Sequence, residues 1–347
     1  MKAAVITGAH QVEIREIERP SPAPGEALIK IEAVGVCGSD LHAYEGSQPF
    51  FKYPERGGYE MVGTVVEIAK GEPVYLIGRP QPRPPQEGSR VVLDPSMPCA
   101  GCYPCRTGRY NCCENMRVLG VHAPGAFAEF ITAPVGCLHE ISEDVSDDAA
   151  VMVEPISIGV QASNRARITV EDTVLILGAG TIGLSVLQVA KSRGARCGIT
   201  DLAPGRLELA RELGADIAVN ARESDLRAAV AEELGESGPA VVVEAVGRPA
   251  TVTQALDVVA ASGRVVMLGL CSDEICFTGA IMVRKELDFL GSRLHGGTMP
   301  QAIQLVESGD VDPGRLVTHH MKLDEVEDAF KLMIDEPDTT LKVILTP

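Results

Sequence analysis

Four cysteines, Cys99, Cys102, Cys105 and Cys113, stand three, three and eight residues apart, with Cys112 as a spare neighbour. Short C-x2-C steps let thiolates converge on one ion, and the longer return closes a tetrahedron. Four thiolates leave no open coordination position, so zinc held there is structural rather than catalytic. The plain alternative is a chance cluster or a redox pair. A second constellation is VLILGAGTIG, residues 174–183. Gly178, Gly180 and Gly183 have G-x-G-x-x-G spacing after a run of β-branched residues and leucines. The first glycine permits a tight turn, the second lets backbone approach a pyrophosphate, and the third lets helix pack on strand. Thr181 and Ile182 open that helix, whose N-terminus faces the phosphate charge. Asp201 ends the next strand, about 20 residues on, where a carboxylate grips an adenosine ribose. It predicts NAD rather than NADP, because a carboxylate repels a 2′-phosphate. Arg206 lies helix-ward of it and is expected beside adenine or solvent.

Cys37 is a third candidate. A thiolate is a strong ligand for zinc and this one sits between glycines 35 and 38, although a lone cysteine can equally be a small buried hydrophobe. Histidines are sparse, with none between His42 and His122. Both His122 and His139 read as ordinary loop or strand residues. Cys197, Cys271 and Cys276 read as packing residues.

These motifs resemble, in order and along nearly the whole chain, the zinc-dependent medium-chain alcohol/polyol dehydrogenase family, in its sorbitol/threonine dehydrogenase-like branch. The resemblance is carried by GEALIKIEAVGVCGSDLH, GYEMVGTVVEI, GSRVVLDP, the cysteine cluster, VEPISIGV, LGAGTIG and LVESGDVD. It implies a GroES-like β-rich catalytic domain beside a Rossmann domain that carries the nucleotide. The family's cysteine spacing selects Cys113 over Cys112. Ser39 and His42 match its proton relay, Asp40 an acid behind the metal ligands, and Cys37 the first ligand of a catalytic zinc. Val246, with Ala245 and Gly247, and Leu268 and Leu270, around Gly269, resemble its nicotinamide-side segments.

One position departs from the pattern. Where the family has Gly-His-Glu, this chain has Gly58-Tyr59-Glu60, so a phenol replaces an imidazole ligand. An unperturbed phenol has a pKa of about 10 and must ionise to bind metal well. Glu60, which swings onto the metal in family members, and Glu154, the polyol branch's carboxylate ligand, leave Cys37, Glu60 and Glu154 as a three-ligand open site. The alternatives are that Glu60 stays behind the ligands and that Tyr59 only fills space.

The elements that must position these groups follow from periodicity. The segments MKAAVI, QVEIREIE and ALIKIEAVGV read as short strands separated by turns, and Arg90–Asp94 as another. The proline-rich stretch 71–88 is expected as an exposed loop. From residue 155 helices and strands alternate: helices Pro155–Arg167, Pro204–Leu213, Asp225–Leu234 and Thr251–Ala261; strands Ala195–Thr200, Ala215–Asn220, Ala240–Glu244, Arg264–Leu268 and Leu287–Gly291. This α/β pattern predicts a doubly wound parallel sheet. The expected division is 1–157 with 296–347 as the GroES-like catalytic domain and 158–295 as the Rossmann domain.

The chain has 347 residues, 45% of them hydrophobic, enough for two cores. A formal charge of −17 argues against nucleic acid and anionic membranes as partners. No apolar run spans a bilayer, and the N-terminus lacks a basic segment followed by an apolar core, so a cytoplasmic protein is expected. Ten cysteines in such a chain point to metal rather than disulfides. The expected function is zinc-assisted, NAD-dependent oxidation of a secondary alcohol, polyol or sugar-derived, by a homotetramer or homodimer. Two alternatives stand beside it. One is a metal-independent dehydrogenase with Tyr59 at the substrate oxygen, and the other a non-catalytic NAD-binding protein.

Overall fold

Alternating apolar residues build the strand Glu26–Gly35, buried along most of its length. A computed structural model describes residues 1–71, 83–223 and 226–347. In it this strand is the spine of a seven-stranded sheet. On one side it pairs with Lys342–Thr346, which pairs in parallel with Val317–Lys322. On the other it pairs antiparallel with Glu60–Ile68, followed by Arg90–Leu93 and Leu138–Glu140. Phe130–Pro134 pairs with its first half. The inward residues Ile29, Ile31, Val34, Met61, Val91, Leu93, Phe127, Ile131 and Phe330 form one core. These elements belong to a first unit, Met1–Glu154 with Gly296–Gly309 and Pro313–Pro347.

The second unit comprises Pro155–His295 and Asp310–Asp312. Its six strands are all parallel, in the order Ile217–Asn220, Arg196–Asp201, Thr173–Leu177, Val241–Glu244, Arg264–Met267 and Asp288–Gly291. Central strands are buried on both faces, which is why they read as unbroken Val, Ile and Leu runs. Strand order reverses between Thr173–Leu177 and Val241–Glu244, the place where such sheets open a ligand crevice at their carboxyl ends.

Element ends differ from expectation in small ways. The helix expected over Thr251–Ala261 runs Pro249–Val258, because Pro249 suits a first helical turn. Of the stretch 71–88, residues 72–82 lie outside the described residues. So does Asp225, and the helix is described from Leu226 to Leu234. Cys197 is buried as expected, but Cys271 is only half-buried and Cys276 is exposed, so those two are not packing residues. No helix among the described residues is long and apolar enough to cross a membrane.

Candidate active site

The thiol cluster forms as a unit. The ligand atoms of Cys99, Cys102, Cys105 and Cys113 all lie within 4.8 Å of one another. Cys102 Sγ is 3.4 Å from Cys105 Sγ and 3.8 Å from Cys113 Sγ. Backbone N–H groups already point at these sulfurs: Cys99 and Asn115 donate to Cys113 Sγ at 3.2 and 3.3 Å. The N–H groups of Gly101 and Cys102 pull Cys99 down to about 6, favouring the thiolate a metal needs. None of the ten cysteines is joined in a disulfide. The donor set fits a tetrahedral zinc with no open position, and such an ion would tie the 99–113 segment together.

The second cluster lies around the helix Gly38–Glu45, with Cys37 as its N-cap. Buried Asp40 accepts from Cys37 N at 3.0 Å and Gly58 N at 2.9 Å, so its carboxyl ties the helix start to the turn before Tyr59. Gly58 adopts φ +82, and a Cβ there would lie 2.5 Å from the Phe127 ring. Only glycine makes this turn without strain, and the turn aims Tyr59 at the helix. The Tyr59 hydroxyl then donates to Cys37 Sγ at 3.0 Å and lies 2.9 Å from Ser39 Oγ. Burial, with Glu60 close by, pushes the Cys37 thiol to about 12. Burial and then the neighbouring Cys37 push the Tyr59 phenol well above its ordinary value.

Glu60 lies close to this trio but takes its own partner. Its carboxylate pairs with the Lys342 ammonium, which also donates to the Val36 carbonyl at 3.0 Å. Both side chains are sealed from solvent. Gly35 makes the pair possible: a Cβ there would sit 2.7 Å from Glu60 Oε2 and 2.9 Å from Val151. Burial alone would lower Lys342, but Glu60 and Cys37 hold it above the usual lysine value. Glu154, in the first turn of Val153–Ala166, is raised to about 8 by burial and by Glu60. Among the described residues the four cysteines are the only group of three or more such donors that converge, so Cys37, Glu60 and Glu154 do not meet as a ligand set. As placed, these residues do not form a catalytic zinc site. His42 is exposed on the Gly38–Glu45 helix, its Nδ1 3.2 Å from Ser47 Oγ and 3.5 Å from the Glu45 carboxylate. His139 is a buried strand residue, and His122 Nδ1 accepts from Val118 N in a turn.

In the second unit the glycine fingerprint is fully built. Gly178 has φ +101, and a Cβ on Gly183 would collide with the Gly178 carbonyl. A Cβ on Gly180 would meet nothing, so this glycine opens onto space at the N-terminus of Thr181–Ser192. That cradle suits a pyrophosphate. Asp201 braces it: Oδ2 accepts from Ala179 N at 2.7 Å, and Oδ1 from Leu202 and Ala203 N at 2.8 and 3.0 Å. Arg206 Nη1 stands 3.9 Å from Asp201.

Residues 23–143 match the alcohol dehydrogenase GroES-like domain, and residues 181–308 match the zinc-binding dehydrogenases. The starvation-sensing protein RspB of Escherichia coli (strain K12) is 34% identical over 350 residues, covering 100% of this chain and 99% of that protein. The chain belongs to the zinc-type medium-chain dehydrogenases. An erythritol/L-threitol dehydrogenase of Mycolicibacterium smegmatis is also 34% identical, across 100% of this chain and 98% of its own. The crystal structure of an alcohol dehydrogenase, rspB of E. coli CFT073, complexed with NADH, superposes with a TM-score of 0.92 at 34% identity, over 100% of this chain and 99% of that one. The GroES-like and Rossmann architecture expected from the motifs is thus that of the family.

Sequence reasoning missed Lys342. Its signal was a single charge inside the apolar strand LKVIL, which a buried sheet admits only with a partner.

Proposed function

We propose that this medium-chain dehydrogenase oxidises a small secondary alcohol, of polyol or sugar-derived type, and passes hydride to NAD. The observation that carries the reading is the open cradle at Gly180, at a helix N-terminus, with Asp201 at the adjoining strand end. Relatives named for erythritol/L-threitol, sorbitol and L-galactonate support the polyol class. Residues 158–295 would hold NAD through Gly178, Gly180, Thr181, Ile182, Gly183, Asp201 and Arg206, with Val246, Leu268 and Leu270 on the nicotinamide side. Residues 1–157 with 296–347 would hold the alcohol.

NAD supplies the hydride acceptor. The alcohol loses a hydride to it and a proton to the protein. Ser39 Oγ, fixed by the Tyr59 hydroxyl, would receive the alcohol O–H as a hydrogen-bond partner. Exposed His42, three residues on along the same helix face, would carry the proton to solvent. Zinc assistance is the family's general mode, and in this chain it would need Glu60 to leave Lys342. A second reading, in which the Tyr59 hydroxyl bonds the substrate oxygen directly, is favoured by its placement between Ser39 and Cys37.

A thiolate zinc cluster and free cysteines suit a reducing, cytoplasmic setting. Homo-oligomerisation through the open sheet edge Asp288–Gly291 would cover Phe289 and Phe277, whose rings meet edge to face and which are both exposed. A polyol panel with NAD, followed by NADH absorbance, tests the activity, with zinc measured on the same preparation. Binding of NAD with no turnover on any secondary alcohol would count against it, and a monomeric sedimentation mass against the assembly.

A further inference from the structure

Glu244 ends the strand Val241–Glu244 and is fully buried, yet the chemistry above makes no use of it. Its Oε1 accepts from Val246 N at 2.9 Å and Gly247 N at 2.8 Å, and the Thr251 hydroxyl lies 2.7 Å away. Its main-chain carbonyl accepts from Leu268 N at 2.9 Å and Gly269 N at 3.0 Å. One residue therefore holds both strand-end turns, 245–247 and 268–270.

These turns meet backbone to backbone. Gly247 adopts φ +81, and a Cβ on it would sit 2.5 Å from the Leu270 carbonyl oxygen. A Cβ on Gly269 would collide with Gly247 N. On the other flank, Val246 Cγ2 comes within 2.8 Å of where a Cβ on Gly178 would be, and Ala245 N donates to the Leu177 carbonyl at 2.9 Å. So the glycine fingerprint, the Val246 turn and the Leu270 turn form one backbone assembly at the reversal of strand order. Glu244 is its shared acceptor. A carboxylate is an expensive way to fill this space, because Oε2 is buried with no hydrogen-bond partner among the described residues. Against that cost, Oε1 accepts from the N–H groups of Val246 and Gly247, which lie past the last rung of the strand pairing at Glu244.

We propose that Glu244 is a positioning residue for the nicotinamide half of the dinucleotide. Its side chain fixes turn 245–247, which meets turn 268–270 at Gly247 and Gly178 at Val246, and through that turn it sets the exposed Val246 side chain and the Leu268–Leu270 backbone as the shelf for the ring. The assignment rests on the NAD site proposed above. It acts through those turns, not by touching the reacting atoms.

NADH and ADP-ribose separate this role from general scaffolding, since ADP-ribose carries the adenosine half and both phosphates but no nicotinamide. NADH binding is read from its own emission, which no tryptophan overlaps because the chain has none; ADP-ribose is titrated by calorimetry. Glu244→Ala should weaken NADH about tenfold or more while ADP-ribose stays within about twofold, as expected when buried N–H groups lose their acceptor. Glu244→Gln, which keeps an oxygen for Val246 and Gly247, should hold NADH within about threefold of wild type. Thr251→Val should weaken NADH alone by about twofold or more, and decides the matter if the alanine variant does not fold. Equal losses for both ligands, or NADH binding unchanged in Thr251→Val and in any folded Glu244→Ala, overturn the assignment. Wild type that binds neither ligand overturns the NAD site itself, a different result from wild type that binds both while the variants are indifferent.

Discussion

Glu60 and Lys342, 282 residues apart in sequence, form an ion pair sealed inside the first unit's sheet. They sit on strands either side of Glu26–Gly35, and the pair closes over Gly35, whose missing side chain leaves the gap. The ammonium is thereby held beside Cys37 and Glu154 as well as Glu60. Whatever binds at Cys37 meets a resident buried cation.

Removing one partner should be severe. Lys342→Met leaves a carboxylate buried and unpaired, which destabilises by about 3–5 kcal/mol. The double variant Lys342→Met with Glu60→Gln should recover most of that loss, because no uncompensated charge remains. Denaturant unfolding of the three proteins checks this. A double variant no better than the single would show that the pair is not the main term.

Stability should decline as pH rises from about 5 to about 8. Glu154 has an ordinary value of 4.5 and is raised to about 8 in the fold by burial and Glu60. Between those values the unfolded chain has released a proton that the folded chain keeps, so raising pH favours unfolding. Asp40, raised to about 7 by burial despite its two N–H donors, acts in the same direction. Melting temperature against pH should therefore slope down across this window and flatten in Glu154→Gln. A rising slope would mean that these carboxyls are held ionised.

Loss of one cluster thiol should act on folding. Cys102→Ser is expected to lose about one zinc per chain, lower the melting temperature and leave NAD binding intact in the protein that survives. Metal analysis and a thermal melt decide it. Unchanged zinc and an unchanged melt would show that the thiols are not a zinc site.

NAD should bind more tightly than NADP. Asp201 would meet the 2′-phosphate, and a repulsion of about 1.4 kcal/mol already gives tenfold. Asp201→Ala should narrow the gap by strengthening NADP, although Ala179 N, Leu202 N and Ala203 N lose their acceptor and NAD weakens too. Calorimetry with both nucleotides tests this; tighter NADP binding by the wild type would refute the assignment of Asp201.

Tyr59 should set the metal content. Wild type is expected to hold about one zinc per chain, and Tyr59→His about two, since a neutral imidazole offers a lone pair that a phenol must ionise to supply. Cys37→Ala should abolish the gain. Two tightly held zincs in the wild type, unaffected by Tyr59→Phe, would show that Cys37 and the carboxylates suffice. Brisk turnover with one zinc, lost in Tyr59→Phe, would favour the direct role of the phenol.

Groups that act at short range could be read without a fold. The glycines of 178–183 and the cysteines of 99–113 serve one turn or one ion, so their spacing carries their geometry. The alternation of β-branched runs with helical periods likewise announced the parallel sheet of the second unit. That Tyr59 departs from the family's imidazole was visible in the sequence too. What its hydroxyl touches was not, because the Gly58 turn and the Phe127 ring aim it. The Glu60–Lys342 pair depends on the register of three strands, and Glu244 gathers two turns that follow different strands. Such contacts arise only when distant segments share a sheet, since strand register, not local spacing, decides which buried charges and amides come within reach.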